Sequence, residues 1–297
     1  MDVKEGYIDF EGYQTYYRIV NPEGHKTPLL LLHGGPGSTH NSFELLDHVA
    51  FDDDRPLIMY DQIGCGNSSI PENHPELWVK ETWVRELENL RAKLDLREIH
   101  LMGHSWGGML AIIYLCDKQP MGIKSVNLSS TLSSASLWEQ EARRLIKLLD
   151  PDTEMILLEA QETDSWDEPA VKSAINEYYH RYVFGPFDEN TPECITRKKP
   201  NAFESYVTAW GRSEFAPSGT LKDYEYTDKL NMITCPVMLI SGASDESTPL
   251  QNKVMYDAIT ADKRWHICPS SNHLTYYYEH ELYVKYLTEF LNEIDGR

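Results

Sequence analysis

Basic residues are scarce in this chain: 27 lysines and arginines face 47 aspartates and glutamates over 297 residues, a net charge of −20 at pH 7. Such a surface repels phosphate backbones, so nucleic acid is not an expected partner. Cysteine is sparse too. Cys65, Cys116, Cys194, Cys235 and Cys268 are dispersed, with no Cys-x-x-Cys pair, so neither a disulfide framework nor a zinc site has the spacing it needs. No apolar run approaches the ~20 residues of a membrane span. The opening Met1-Asp2-Val3-Lys4-Glu5 lacks the basic and apolar regions of a secretory leader. The expectation is a cytoplasmic protein with no membrane partner, no metal and no organic cofactor.

What the chain does contain is alternation. Tyr7 to Phe10, Glu11-Gly12 and Tyr13 to Val20 read as a hairpin, and Leu29 to Leu32 reads as a strand buried on both faces. Leu57 to Tyr60 is a second such strand. Val84, Leu87, Leu90 and Leu94 have helical spacing within Thr82 to Leu96. Strands follow at Ile99 to Met102 and Ser125 to Leu128. This β-α order predicts a mostly parallel, doubly wound α/β sheet. The pattern breaks from about Ser130 to Lys229, which is polar, acidic and helix-like, and resumes at Val237 to Gly242 and Arg264 to Cys268 before an amphipathic final helix. The expected organisation is a core formed by 1–129 and 230–297 with an inserted helical cap, 130–229.

Between the Ile99 strand and the apolar segment from Met109 lies Gly103-His104-Ser105-Trp106-Gly107-Gly108. Gly-x-Ser-x-Gly in a strand–turn–helix context is a nucleophile elbow, whose tight turn lifts the serine hydroxyl above the sheet. A serine needs a base, and the base an orienting acid. In this architecture they follow the serine in the order acid, then histidine. Asp245, three residues past the Val237–Gly242 strand, is the expected acid; Asp61 also follows a strand but precedes the serine. His273, in the loop before the final helix, is the expected base, since His266 lies within a strand and His280 starts the last helix. Two N–H groups must hold the oxyanion. The amide of Trp106 is one, and Gly35 in His33-Gly34-Gly35-Pro36-Gly37 is the other. No Lys-Ser/Thr follows that glycine loop, which disfavours a phosphate cradle.

Taken with Tyr60-Asp61-Gln62-x-Gly64-Cys65-Gly66, the His33–Gly37 loop, the elbow, Asp245-Glu246 and His273 resemble the proline iminopeptidases. The resemblance covers essentially the whole chain. It implies the α/β-hydrolase fold with a helical cap, and a serine aminopeptidase that releases N-terminal proline from small peptides. It further implies that Glu246 and Glu214, in Gly211-Arg212-Ser213-Glu214-Phe215, bind the substrate amino group. A buried carboxylate pair suits that task, because charge-assisted hydrogen bonds to an ammonium measure from the chain end. Trp106 and the aromatics near Tyr206 and Trp210 are candidates either for a proline-sized pocket wall or for core packing. Rival readings are an amino-acid amidase or ester hydrolase on the same fold, and a non-catalytic ligand-binding relative. Dehalogenases and epoxide hydrolases place Asp where this chain has Ser105.

Overall fold

A computed structural model describes residues 2–200 and 203–297. Eight strands form one sheet: β1 (Val3–Phe10), β2 (Tyr13–Val20), β3 (Leu29–Leu32), β4 (Leu57–Tyr60), β5 (Ile99–His104), β6 (Ile123–Ser129), β7 (Val237–Gly242) and β8 (Lys263–Cys268), in the order β1-β2-β4-β3-β5-β6-β7-β8. The β1–β2 and β2–β4 pairs are antiparallel, and all others are parallel. The hairpin turns at Glu11 and Gly12, both at positive φ. Every residue of β3, β4, β5 and β7 is buried, as unbroken apolar runs covered on two faces require. The helices Lys80–Lys93 and Trp106–Ile113 cover one face, and Tyr283, Leu287 and Leu291 of the final helix His280–Asp295 cover the other.

Two boundaries differ from the sequence pattern. The Lys80–Lys93 helix stops short of Leu96 because Asp95 takes a left-handed backbone (φ 50), which ends the α-helical ladder. Strand β6 starts two residues early, at Ile123, which pairs with Ile99 before a register shift.

Between β6 and β7, helices span Ala135–Ile146, Pro151–Thr163, Pro169–Tyr182, Glu193–Thr196 and Phe203–Ala209. Ser134 caps the first by accepting from the Leu137 amide at 3.0 Å, and Asp150 caps the second. These helices share an apolar cluster of their own, including Ile146, Leu157, Tyr178 and Phe215. The chain leaves β3 toward β4 on one side and continues from β5 toward β6 on the other. The sheet therefore has its topological switch point between β3 and β5, where ligands of open α/β sheets bind.

Candidate active site

Because β3 and β5 are hydrogen-bonded neighbours, their exit loops meet. A Cβ on Gly34 would lie 3.2 Å from the Ser105 Cβ, so the glycine loop rests directly against the elbow. Ser105 itself has φ 56 and ψ −123, a conformation costly for a residue with a side chain. It is tolerated because the surroundings over-determine it: the Ser105 carbonyl accepts from Thr131 Oγ1 at 2.7 Å and from the Gly108 amide at 2.8 Å. The flanking glycines are steric necessities. A Cβ at Gly103 would sit 2.3 Å from the Gly107 oxygen, and one at Gly107 would sit 1.9 Å from the Leu32 oxygen.

Strands β7 and β8, also neighbours, deliver the next pair. His273 Nδ1 lies 2.7 Å from Asp245 Oδ1, and both side chains are buried. The Ser247 and Gly242 amides donate to the Asp245 carboxylate at 2.8 and 3.3 Å. This network fixes the Asp245 carboxylate, so Nδ1 of His273 is the donor and Nε2 is left as an acceptor. Asp61, the rival acid, is committed elsewhere. It accepts from the His40 amide at 2.9 Å and the Asn67 amide at 2.8 Å, and lies 2.7 Å from His40 Nδ1. Burial works against that ion pair, but hydrogen bonds to Asp61 and Glu44 raise His40 to about 9.

Ser105, His273, Glu214 and Glu246 line one cavity of about 350 Å³, with Gly34 and Gly35 on its floor. The two glutamates arrive from different parts of the chain, Glu246 beside Asp245 and Glu214 from the segment between β6 and β7. Burial, then the charges of Glu214 and Asp245, raises Glu246 well above the usual carboxylate range. Burial also raises Glu214, with the Tyr206 hydroxyl and His273 working against it. Tyr206 donates to the Glu214 carboxylate, while Oε2 of Glu246 has no protein hydrogen bond of good geometry. Glu246 Oε1 is 3.8 Å from His273 Nε2. A buried carboxylate with an unmet acceptor requires a cationic donor or a proton.

The Glu214 main chain is held as firmly as its side chain. Its carbonyl accepts from Trp138 Nε1 at 2.9 Å and Trp210 Nε1 at 3.3 Å. Trp138 also meets the His273 ring edge-on, with centroids 6.5 Å apart. The apolar wall consists of Val183, Phe184, Phe187, Tyr179, Tyr206 and Leu274. Trp106 and Trp210 are core residues instead, only 1% and 3% exposed. Of the three aromatics weighed as a wall, only Tyr206 faces the cavity.

Sequence reasoning left His33 and Gln62 without a task. Gln62 Nε2 donates to the His33 carbonyl at 3.1 Å, and its Oε1 accepts from Trp106 Nε1 at 2.7 Å. The Gln62 amide donates to His33 Nε2 at 3.0 Å, so Nδ1 carries the ring proton and donates to the Gly34 carbonyl at 2.8 Å. Burial lowers His33 to about 4 and keeps it neutral for both bonds. One glutamine therefore ties the glycine loop to the residue after the nucleophile. The signal was present in the Asp-Gln-x-Gly-Cys-Gly motif, but only the fold reveals what the glutamine holds.

Among the described residues, no group of three or more His, Cys, Asp or Glu side chains could hold a metal ion, and no helix is long and apolar enough to cross a membrane. The sequence pattern of the alpha/beta hydrolase fold family matches residues 27–280. The proline iminopeptidase of Lactobacillus acidophilus is 49% identical over 99% of this chain and 100% of its own. That of Clostridioides difficile is also 49% identical, over 99% of this chain and 100% of its own. Among solved structures, the proline iminopeptidase of Mycobacterium smegmatis is 29% identical and superposes with a TM-score of 0.87, covering 98% of this chain and 99% of that one.

Proposed function

This chain belongs to the proline iminopeptidase family of the α/β-hydrolase fold, and from that premise we propose that it is a serine aminopeptidase releasing N-terminal proline from small peptides in the cytoplasm. The observation that carries the reading is the placement of two carboxylates, the buried Glu246 and the half-buried Glu214, in the cavity that holds Ser105 and His273. An endopeptidase or a simple esterase has no charged chain end to bind beside its nucleophile. An exopeptidase does, because the charged chain end is its reference point.

In the proposed reaction His273 Nε2 removes the Ser105 proton as Ser105 Oγ bonds to the prolyl carbonyl carbon. The carbonyl oxygen becomes an oxyanion held by the amides of Gly35 and Trp106. The Trp106 amide opens its helix and so lacks an intrahelical acceptor. Collapse breaks the C–N bond, and His273 passes its proton to the departing amine. Water, deprotonated by the same imidazole, then attacks the prolyl ester and frees proline and Ser105. Asp245 orients the imidazole and stabilises its charged form. Glu214 and Glu246 bind the substrate's secondary ammonium, and the apolar wall receives the ring. The segment 130–229 acts as a cap that supplies Glu214 to a core made of 1–129 and 230–297.

The test is a panel of aminoacyl-anilides with free and N-acetylated amines. Prolyl-anilide is expected to turn over and its acetylated form to resist. Equal turnover of both would remove the amino-group role and leave an amidase or esterase; turnover of neither would favour a ligand-binding relative.

A further inference from the structure

The cavity that holds the two glutamates also carries a cation. Lys199 lines the same cavity as Gly34, Gly35 and Ser38, and its ammonium donates to Ser38 Oγ at 2.8 Å. The residue as a whole is exposed at the rim, but its tip is enclosed enough that burial draws its pKa downward. Its charge reaches His33 and His104 beneath the glycine loop.

A lysine on the surface of a chain with a net charge of −20 has carboxylates to choose from. Among the described residues, none forms an ion pair with Lys199. Asp61, whose charge reaches Lys199, is engaged with His40, and Glu44 is held by Arg197 in a bidentate pair at 2.6 and 3.1 Å. A hydroxyl satisfies one of the three ammonium donors and none of its charge. Turning a long, strongly hydrated side chain into a partly desolvated site without a counter-ion is unfavourable unless an anion arrives there. Two hydroxyls flank that place, Ser38 and Ser42, the latter 3.0 Å from the Tyr276 hydroxyl.

We propose that Lys199 binds the C-terminal carboxylate of the leaving amino acid, so that this site selects zwitterionic peptides of two or three residues. The proposal rests on the amino-group reading above. A carboxylate beside His273 and an ammonium bonded to Ser38, in one small cavity, complement a molecule with an ammonium at one end and a carboxylate at the other. The scissile bond of such a molecule lies between its two charges, and Ser105, against which the glycine loop rests, lines the same cavity as Lys199 and both glutamates. Lys199 is thus a positioning residue for the departing group, outside the bond-making steps.

The measurement is kcat/KM for Pro-Ala and for Pro-Ala amide, each relative to prolyl-anilide, in the unaltered enzyme and in Lys199→Met. The free acid is expected to exceed the amide by about 10-fold or more, the size of one charge-assisted hydrogen bond. In Lys199→Met that ratio should fall toward unity, chiefly through KM of the free acid, and Lys199→Arg should restore most of it. Equal rates for acid and amide in the unaltered enzyme would overturn the proposal, as would a ratio that survives Lys199→Met. Failure of prolyl-anilide itself to be cleaved would overturn the underlying aminopeptidase reading, a result distinct from the other two.

Discussion

His104 Nε2 and the main-chain oxygen of His273, 169 residues apart in sequence, are joined by a 2.9 Å hydrogen bond. A carbonyl only accepts, so His104 carries its proton on Nε2. Burial and the neighbouring His273 lower its pKa to about 3, which keeps it neutral. His104 therefore anchors the backbone of His273, the base of the proposed reaction. His104→Phe should preserve the ring contacts, 4.8 Å to His273 and 5.1 Å to Tyr276 between centroids, while losing the bond. We expect kcat for prolyl-anilide to fall by ~10- to 10²-fold with KM little changed, as for a small misplacement of a reacting group. Unaltered kcat would mean that the His273 loop is held by other contacts.

Ser105→Ala should lower kcat by ~10⁶-fold, and Asp245→Asn by ~10⁴-fold, because the amide presents the wrong partner to His273 Nδ1. Single-turnover assays on folded protein, verified by circular dichroism, read both. Near-normal rates in Ser105→Ala would move the nucleophile elsewhere.

Gln62→Leu removes the donor to the His33 carbonyl and the acceptor for Trp106 Nε1 together. Kinetic loss in kcat of about 10²-fold is expected if the oxyanion loop shifts by an ångström. Double-mutant coupling with Trp106→Phe offers the check: the two losses should be strongly non-additive, since each variant breaks the same bond.

Glu246→Gln should weaken binding of free-amine substrates by about 2–5 kcal/mol. It should also change the pH profile. Both glutamates have raised pKa values, and only their charged forms attract an ammonium. KM for prolyl-anilide should therefore fall as pH rises through their titration, and this dependence should shrink in Glu246→Gln. A KM profile identical in both proteins would remove Glu246 from substrate binding.

Glu86 titrates outside the site. Buried beneath the Asp61–Gly66 loop, it is raised to about 8 by burial, although Thr15 Oγ1 at 2.5 Å and the Ile63 amide at 2.9 Å oppose the shift. The folded state keeps this proton after the unfolded chain has lost it near pH 4.5. Stability from Glu86 is thus complete below that pH and declines toward pH 8, by about 1.4 kcal/mol per pH unit. Glu86→Gln should flatten the fall of Tm across this window. Parallel Tm profiles for the two proteins would show that Glu86 is ionised in the fold.

That Ser105, Asp245 and His273 come together at neighbouring strand ends was legible in the sequence, because their positions follow from chain order and strand ends, which apolar runs reveal. The glycine loop was equally legible, since its residues are constrained by close approach to Ser105. Glu214 was proposed only through family resemblance: it lies in a turn after the Phe203–Ala209 helix, and its placement depends on tertiary contacts such as the Trp138 and Trp210 bonds to its carbonyl. Trp106 was ambiguous as a wall because an aromatic beside a nucleophile fits the core and the cavity equally well, until β4 places Gln62 against its indole. His33 and Gln62 act through bonds between loops that are distant in sequence, and no periodicity records those.

The shared use of Trp138 has an evolutionary corollary. Its indole nitrogen holds the Glu214 backbone while its ring edge meets His273. Under the proposed assignment, specificity and chemistry are therefore mechanically linked through one side chain. Transplanting a foreign 130–229 segment onto this core would disturb the imidazole as well as the substrate preference. New specificities in this lineage are thus expected to arise by changes along the Val183–Phe187 wall, which leave that linkage untouched, rather than by wholesale exchange of the helical segment.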